Sequence, residues 1–215
     1  MKREKIKLFE ELYRINELSG QNFLNNKHLV VVDVQPEYQD YFSFNPYDFA
    51  DFINENYENL YNLTFLYNGA DTLGMVSEWD YKQWLIDIGI NPEIVENSNF
   101  VDKGYAFFRY CMDSAIDEEV IANFVRFMMD NNINDSRDLN EEIWNKYIEE
   151  YGDEDIRDLL EHAEDMISIP GLMDDLMSMS NIVITGGGIS ECLKEVEIAL
   201  QSLNKNYKVL TEFTY

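Results

Sequence analysis

The chain has 215 residues and a formal net charge of −26, from 16 Lys and Arg against 42 Asp and Glu. Such a field repels nucleic-acid phosphates and anionic lipid headgroups, which argues against nonspecific DNA, RNA or membrane-surface binding. A hydrophobic fraction of 46% is ample for a packed core, so the expectation is one domain over residues 1–215 and not a disordered chain.

In chain order, residues 4–18 carry Ile6, Leu8, Phe9, Leu12, Tyr13, Ile15 and Leu18, the spacing of an amphipathic helix stopped near Gly20. The run from His28 to Val34 is continuously apolar and β-branched until Asp33, as in the middle of a parallel sheet. Asp33 then falls at the C-terminal end of a strand, where open α/β sheets bind their ligands. His28, at the strand entrance, reads as structural. Asn45-Pro46 opens a helix through Phe49, Phe52, Ile53, Tyr57 and Leu60, and residues 63–67 form a second buried strand. A short aromatic helix is expected over 78–88, with Trp79 and Trp84 in the core, broken by Gly89 and Asn91-Pro92. Phe100-Val101 is a brief third strand leading to Lys103.

The texture changes over residues 113–179, where helical patterns dominate at 116–129, 139–151, 154–167 and 172–177, with outer faces dense in Asp and Glu. This stretch reads as an acidic helical insertion, either a solvated surface or a docking face or lid. Met173, Met177 and Met179 read as core filler. Acidity of this degree keeps a protein soluble, and it also suits a basic protein partner or mimicry of nucleic-acid charge.

The C-terminal stretch, 181–215, runs from the strand Ile182-Val183-Ile184 through Gly186, Gly187 and Gly188 to a helix carrying Leu193, Val196, Ile198, Ala199, Leu200 and Leu203. A second β-like run follows at 207–213. This is a β-α-β unit of a parallel sheet. Cys192 sits where the turn becomes the helix. Backbone N–H groups and the helix dipole there favour thiolate, although a Cys among apolar neighbours is also commonly a small core residue. The two cysteines, Cys111 and Cys192, lie far apart without metal-ligand spacing, which suits a reducing, cytoplasmic setting. No stretch is long and apolar enough to span a bilayer.

Three segments together resemble the isochorismatase-like cysteine hydrolases, the superfamily of nicotinamidases and N-carbamoyl amidases. They are VVVDVQPEY (30–38), FVDKGYAFF (100–108) and VITGGGISECLKEVEIALQSLNKNYKVL (183–210), which place Asp, Lys and Cys in that order at three strand ends. The resemblance implies a three-layer α/β/α fold with a mostly parallel sheet, here bearing the helical insertion. It implies hydrolysis of an amide-type C–N bond in a small molecule, with Cys192 as nucleophile, Asp33 as general base and Lys103 lowering the thiol pKa and holding Asp33 ionised. Backbone N–H groups of Gly187, Gly188 and Cys192 would form the oxyanion hole, with a cis peptide between Gly187 and Gly188.

Gln35, Tyr105 and Arg109 are candidates for substrate binding, with packing of Tyr105 and offset of local acidity by Arg109 as the plainer alternatives. The family's metal motif needs an Asp with two His nearby, whereas the equivalent segment has Asp71 and Asp80 without histidine, so neither metal nor cofactor is expected. The family often assembles, which makes a homo-oligomer compatible with the many aromatics. Two other readings stand beside the hydrolase. One is an inactive scaffold of the same fold that binds a basic protein partner. The weaker one treats Thr185 to Gly188 as a phosphate cradle, although the dinucleotide fingerprint is missing and Glu191 would repel the anion.

Overall fold

The computed structural model describes residues 23–69, 75–103, 117–152, 156–157, 169 and 171–215. The helix expected over 4–18, most of the helix expected over 154–167, and Asp71, Tyr105, Arg109 and Cys111 lie outside them.

Five parallel strands form one sheet: β1 (His28–Val32), β2 (Asn62–Tyr67), β3 (Asn99–Asp102), β4 (Ile182–Gly186) and β5 (Tyr207–Val209), in the order β3-β2-β1-β4-β5. Because successive side chains alternate between faces, β1 divides its residues between two cores. Leu29 and Val31 join Leu63, Phe65 and Val183 on one face; Val30 and Val32 join Leu66, Ile182 and Ile184 on the other. Burial on both faces explains the unbroken apolar run read in the sequence.

Helices α1 (Pro46–Asn56), α2 (Glu78–Asp87) and α3 (Pro92–Asn97) cover the first face, with Phe49, Ile53, Tyr81, Leu85, Ile94 and Val95 inward. Helices α4 (Glu118–Asp130), α5 (Glu141–Tyr151), α6 (Leu172–Ser178) and α7 (Cys192–Ser202) build the second core. The three-layer α/β/α architecture expected from the sequence is therefore present. Side-chain caps fix several helix starts: Asn45, Ser77, Asn91, Asp117 and Asn140 each accept a hydrogen bond from a backbone N–H of the first turn.

Local differences from expectation have local causes. Asn91-Pro92 breaks one helix but also begins α3, since Asn91 caps it and Pro at the first position needs no N–H partner. The run over 207–213 is a strand only to Val209; Leu210 N–H donates to Ile184 O, and residues 211–213 then turn as a 3-10 helix that buries Phe213 against Phe44, Phe49 and Phe52. Trp79 is 72% exposed, against the core position expected for it. It lies two residues before Tyr81, and two helical steps carry a side chain to the opposite face. Met173 and Met179 are buried as expected, but Met177 is exposed.

The acidic stretch does more than decorate the surface. Its first helix, α4, lies along α7, and Arg126 donates through Nε to Ser202 O at 3.0 Å and through Nη2 to Gln201 O at 2.9 Å. Those are carbonyls at the C-terminal end of α7, which lack partners within the helix. Phe124, Phe127 and Val125 fill the core behind them. The segment read as an insertion thus supplies a layer of the fold.

His28 has the structural role expected of it: its Nε2 lies 2.8 Å from Thr64 Oγ1 across the β1–β2 pair, in a buried site. Burial lowers its pKa from the ordinary 6.5. Because the folded state then binds its proton less well than the unfolded chain, His28 stabilises the fold above pH 6.5, and that contribution is lost as pH falls through the lowered value. In urea unfolding of the wild type and His28→Gln across this range, the wild type should lose more stability on acidification than the variant; equal losses would contradict the assignment.

Candidate active site

The register brings strand ends level. Val32 pairs with Leu66 on one side and Gly186 on the other, and Tyr67 pairs with Asp102, so Asp33, Asn68, Lys103 and Gly187 all emerge from the C-terminal edge of the sheet. The order β2-β1-β4 means that connections leave β1 and β4 in opposite directions, opening a crevice between these strands.

Asp33 ends β1 abruptly. Its φ is 50°, a left-handed conformation that costs a non-glycine residue about 1–3 kcal/mol and persists only where the surroundings over-determine it. Here they do: Asp33 N–H donates to Leu66 O at 2.9 Å, and Asp33 O accepts from Gln35 N–H at 3.0 Å and from the Tyr215 hydroxyl at 3.1 Å. The turn aims the carboxylate into the interior, where it is fully buried. Lys103, just past β3 and anchored by its N–H to Tyr67 O, places Nζ 3.1 Å from Asp33 Oδ2 and 3.6 Å from Glu195 Oε2. All three side chains are 1% exposed or less.

Glycine shapes the third side. Gly186 and Gly187 have φ of 82° and 64°, and a Cβ on Gly186 would stand 2.3 Å from Val32 O. The chain can therefore pass close to β1 before rising into α7. The expected cis peptide between Gly187 and Gly188 is not present; the described residues contain none, and the two left-handed glycines turn the chain with trans bonds. Glu191, which precedes α7, makes no side-chain cap. Glu191 and Leu193 N–H both donate to Gly188 O, whereas no described hydrogen bond uses the N–H of Gly188 or Cys192.

Cys192 is half-buried as the first residue of α7, and its thiol faces the Asp33 carboxylate. The electrostatics of the site work against a resting thiolate. Burial and then the Asp33 charge push the thiol up to about 12, outweighing the opposing pull of Lys103. Burial likewise raises the Asp33 carboxyl, against the ammonium beside it. Lys103 is held well above its ordinary value despite burial, because Asp33 and Glu195 both favour its charged form. The Lys103 ammonium and the Cys192 thiol are the donors described beside this buried carboxylate.

Gln35 is fully buried and committed: Oε1 accepts from Asn68 N–H at 2.9 Å and Nε2 donates to Glu37 at 3.0 Å. It braces the ends of β1 and β2, a different task from the substrate contact expected of it. Asn68 Nδ2 donates to the Tyr38 hydroxyl at 2.8 Å, while Asn68 Oδ1 is buried without a partner. The tail closes the other flank. Tyr215 N–H donates to Gly187 O at 3.1 Å, Tyr215 O accepts from Ile189 N–H at 2.9 Å, and its ring centroid is 5.2 Å from that of Phe42.

Sequence reasoning missed Glu195 and Tyr215. Glu195 had a readable signal, since three residues after Cys192 it shares a helix face with the thiol amid apolar neighbours. Tyr215 had none, because its contacts with Asp33 and Gly187 are long-range. No family model, curated protein or solved structure matches the chain.

Removing Lys103 would take from two buried carboxylates the cation described beside them. Lys103→Met should therefore destabilise the fold by about 3–5 kcal/mol in urea unfolding, and adding Asp33→Asn should recover part of that loss. A neutral Lys103→Met substitution would mean that the ion cluster contributes little to folding.

Proposed function

We propose that the protein is a cysteine hydrolase of the isochorismatase-like type, cleaving an amide-type C–N bond in a small molecule. The observation that carries this reading is the convergence of Lys103, from the end of β3, and Cys192, from the start of α7, on the buried Asp33 carboxylate at the end of β1. The alternative, an inactive scaffold that binds a basic partner through its acidic surface, calls for a broken or blocked triad. The convergence of these side chains favours the enzyme.

Cys192 is the nucleophile and Asp33 the base. As Sγ bonds to the substrate carbonyl carbon, the thiol proton passes to Asp33. The high thiol pKa suits this order, in which proton and sulfur move together and no free thiolate accumulates. The carbonyl oxygen gains negative charge between the N–H groups of Gly188 and Cys192, which the turn leaves unengaged. The C–N bond breaks, the nitrogen takes the proton from Asp33, and ammonia or an amine departs. Water then attacks the thioester while Asp33 receives its proton. The acid leaves as the C–S bond breaks, and the proton returns to Sγ. Lys103 keeps its charge throughout and orients the carboxylate.

The test is release of ammonia or amine from a panel of small primary amides and N-carbamoyl compounds, together with intact-mass detection of an acyl adduct on Cys192. Turnover should vanish in Cys192→Ala and fall about 10²–10⁴-fold in Asp33→Asn, the usual contribution of a general base. Substrate turnover that survives in Cys192→Ala would overturn the mechanism. Absence of both turnover and adduct across the panel would count against the hydrolase reading itself.

A further inference from the structure

Glu195 is a buried acid that the triad does not use. It lies on α7 one turn beyond Cys192, is 1% exposed, and its Oε2 is 3.6 Å from Lys103 Nζ. Lys103 therefore serves two carboxylates, with Asp33 Oδ2 nearer at 3.1 Å. The buried group of Asp33, Glu195 and Lys103 sums to one negative charge when all three are ionised. A thiolate at Cys192 would add a second negative charge in a poorly solvated site, where like charges repel strongly.

We propose that Glu195 is a positioning residue that divides the charge of Lys103 between two carboxylates and so holds Cys192 as a protonated thiol until substrate is bound. This deepens the hydrolase reading and rests on it for its purpose, although the charge effect itself needs no substrate. The consequence is a nucleophile protected from stray alkylation and oxidation, since the thiolate is the reactive species in both. Attack is then coupled to proton transfer onto Asp33.

The other described groups around the thiol do not replace this effect. Tyr38 approaches from the 3-10 turn at Pro36–Tyr41 and Tyr215 from the C-terminal tail. Both phenols are raised above their ordinary value and stay neutral through the relevant pH range. Asp102, at the end of β3, adds a further acidic group beside Asp33. Among the described residues Lys103 is the cation that opposes the negative charge at Cys192, while burial first, then Asp33 and to a smaller degree Glu195 press upward on the thiol.

The experiment is the pH dependence of iodoacetamide alkylation at Cys192, read by peptide mass spectrometry with the Cys111 peptide as control. In the wild type the rate should still be rising beyond the ordinary thiol value of 9.0. Glu195→Gln, nearly isosteric, removes one negative charge and frees Lys103 to favour the thiolate. Its profile should shift to lower pH, with alkylation near ~pH 8 faster than in the wild type. Glu195→Asp, which keeps the charge, should retain the slow wild-type profile.

Superimposable profiles for the wild type and a folded Glu195→Gln would overturn the proposal. Should that variant fail to fold, the wild-type profile still decides, because half-maximal alkylation at or below 9.0 would equally overturn it. Since the readout is thiol ionisation, a protein that hydrolyses no tested amide can still show the shift. Failure of the hydrolase reading is thus distinguishable from failure of the role assigned to Glu195.

Discussion

Lys103 is an ammonium with almost no exposure to water, held between Asp33 at 3.1 Å and Glu195 at 3.6 Å, and the C-terminal edge of the sheet is organised around that contact. Burying a single charge of any of these groups would cost several kcal/mol, and pairing with the others offsets that cost. Hydrophobic residues of the same volume would often hold a fold as well or better. The ionic cluster is therefore more readily understood as serving chemistry than as serving stability. The left-handed Asp33 points the same way, since backbone strain collects where function fixes geometry.

The scaffold makes this cluster possible by levelling the strand ends. Five parallel strands in register deliver Asp33, Lys103 and the glycine turn to one edge, and two apolar cores clamp the sheet from both sides. The acidic helices take part in this clamp. By capping the carbonyls at the C-terminal end of α7, Arg126 ties α4 to the helix whose first residue is Cys192. A surface that looks designed only for solvent on its outer face thus has a structural inner face.

Charge distribution within the site gives a different chemical picture from the triad considered by residue type alone. A lysine beside a cysteine ordinarily favours thiolate. Here the cation is already shared, and burial of the thiol adds to the imbalance. The arrangement favours the protonated thiol, with the Asp33 carboxylate beside it.

By itself the sequence determined the strands and most of the described helices, because apolar periodicity and the turn chemistry of Gly, Asn and Pro act over a few residues. Val30-Val31-Val32, the glycines at 186–188 and the stripe through Val196 and Leu200 carry that information locally. Asp33 and Lys103 were legible as strand-end residues through the same logic, and Cys192 as the residue where the glycine turn becomes a helix. The tertiary structure alone decided that Gln35 braces two strands, that the glycine turn uses trans bonds, and that Tyr215 returns to Asp33. It also decided the burial and the charges that surround Cys192, because a field set by distances across strands and a helix is not written at any one position in the chain.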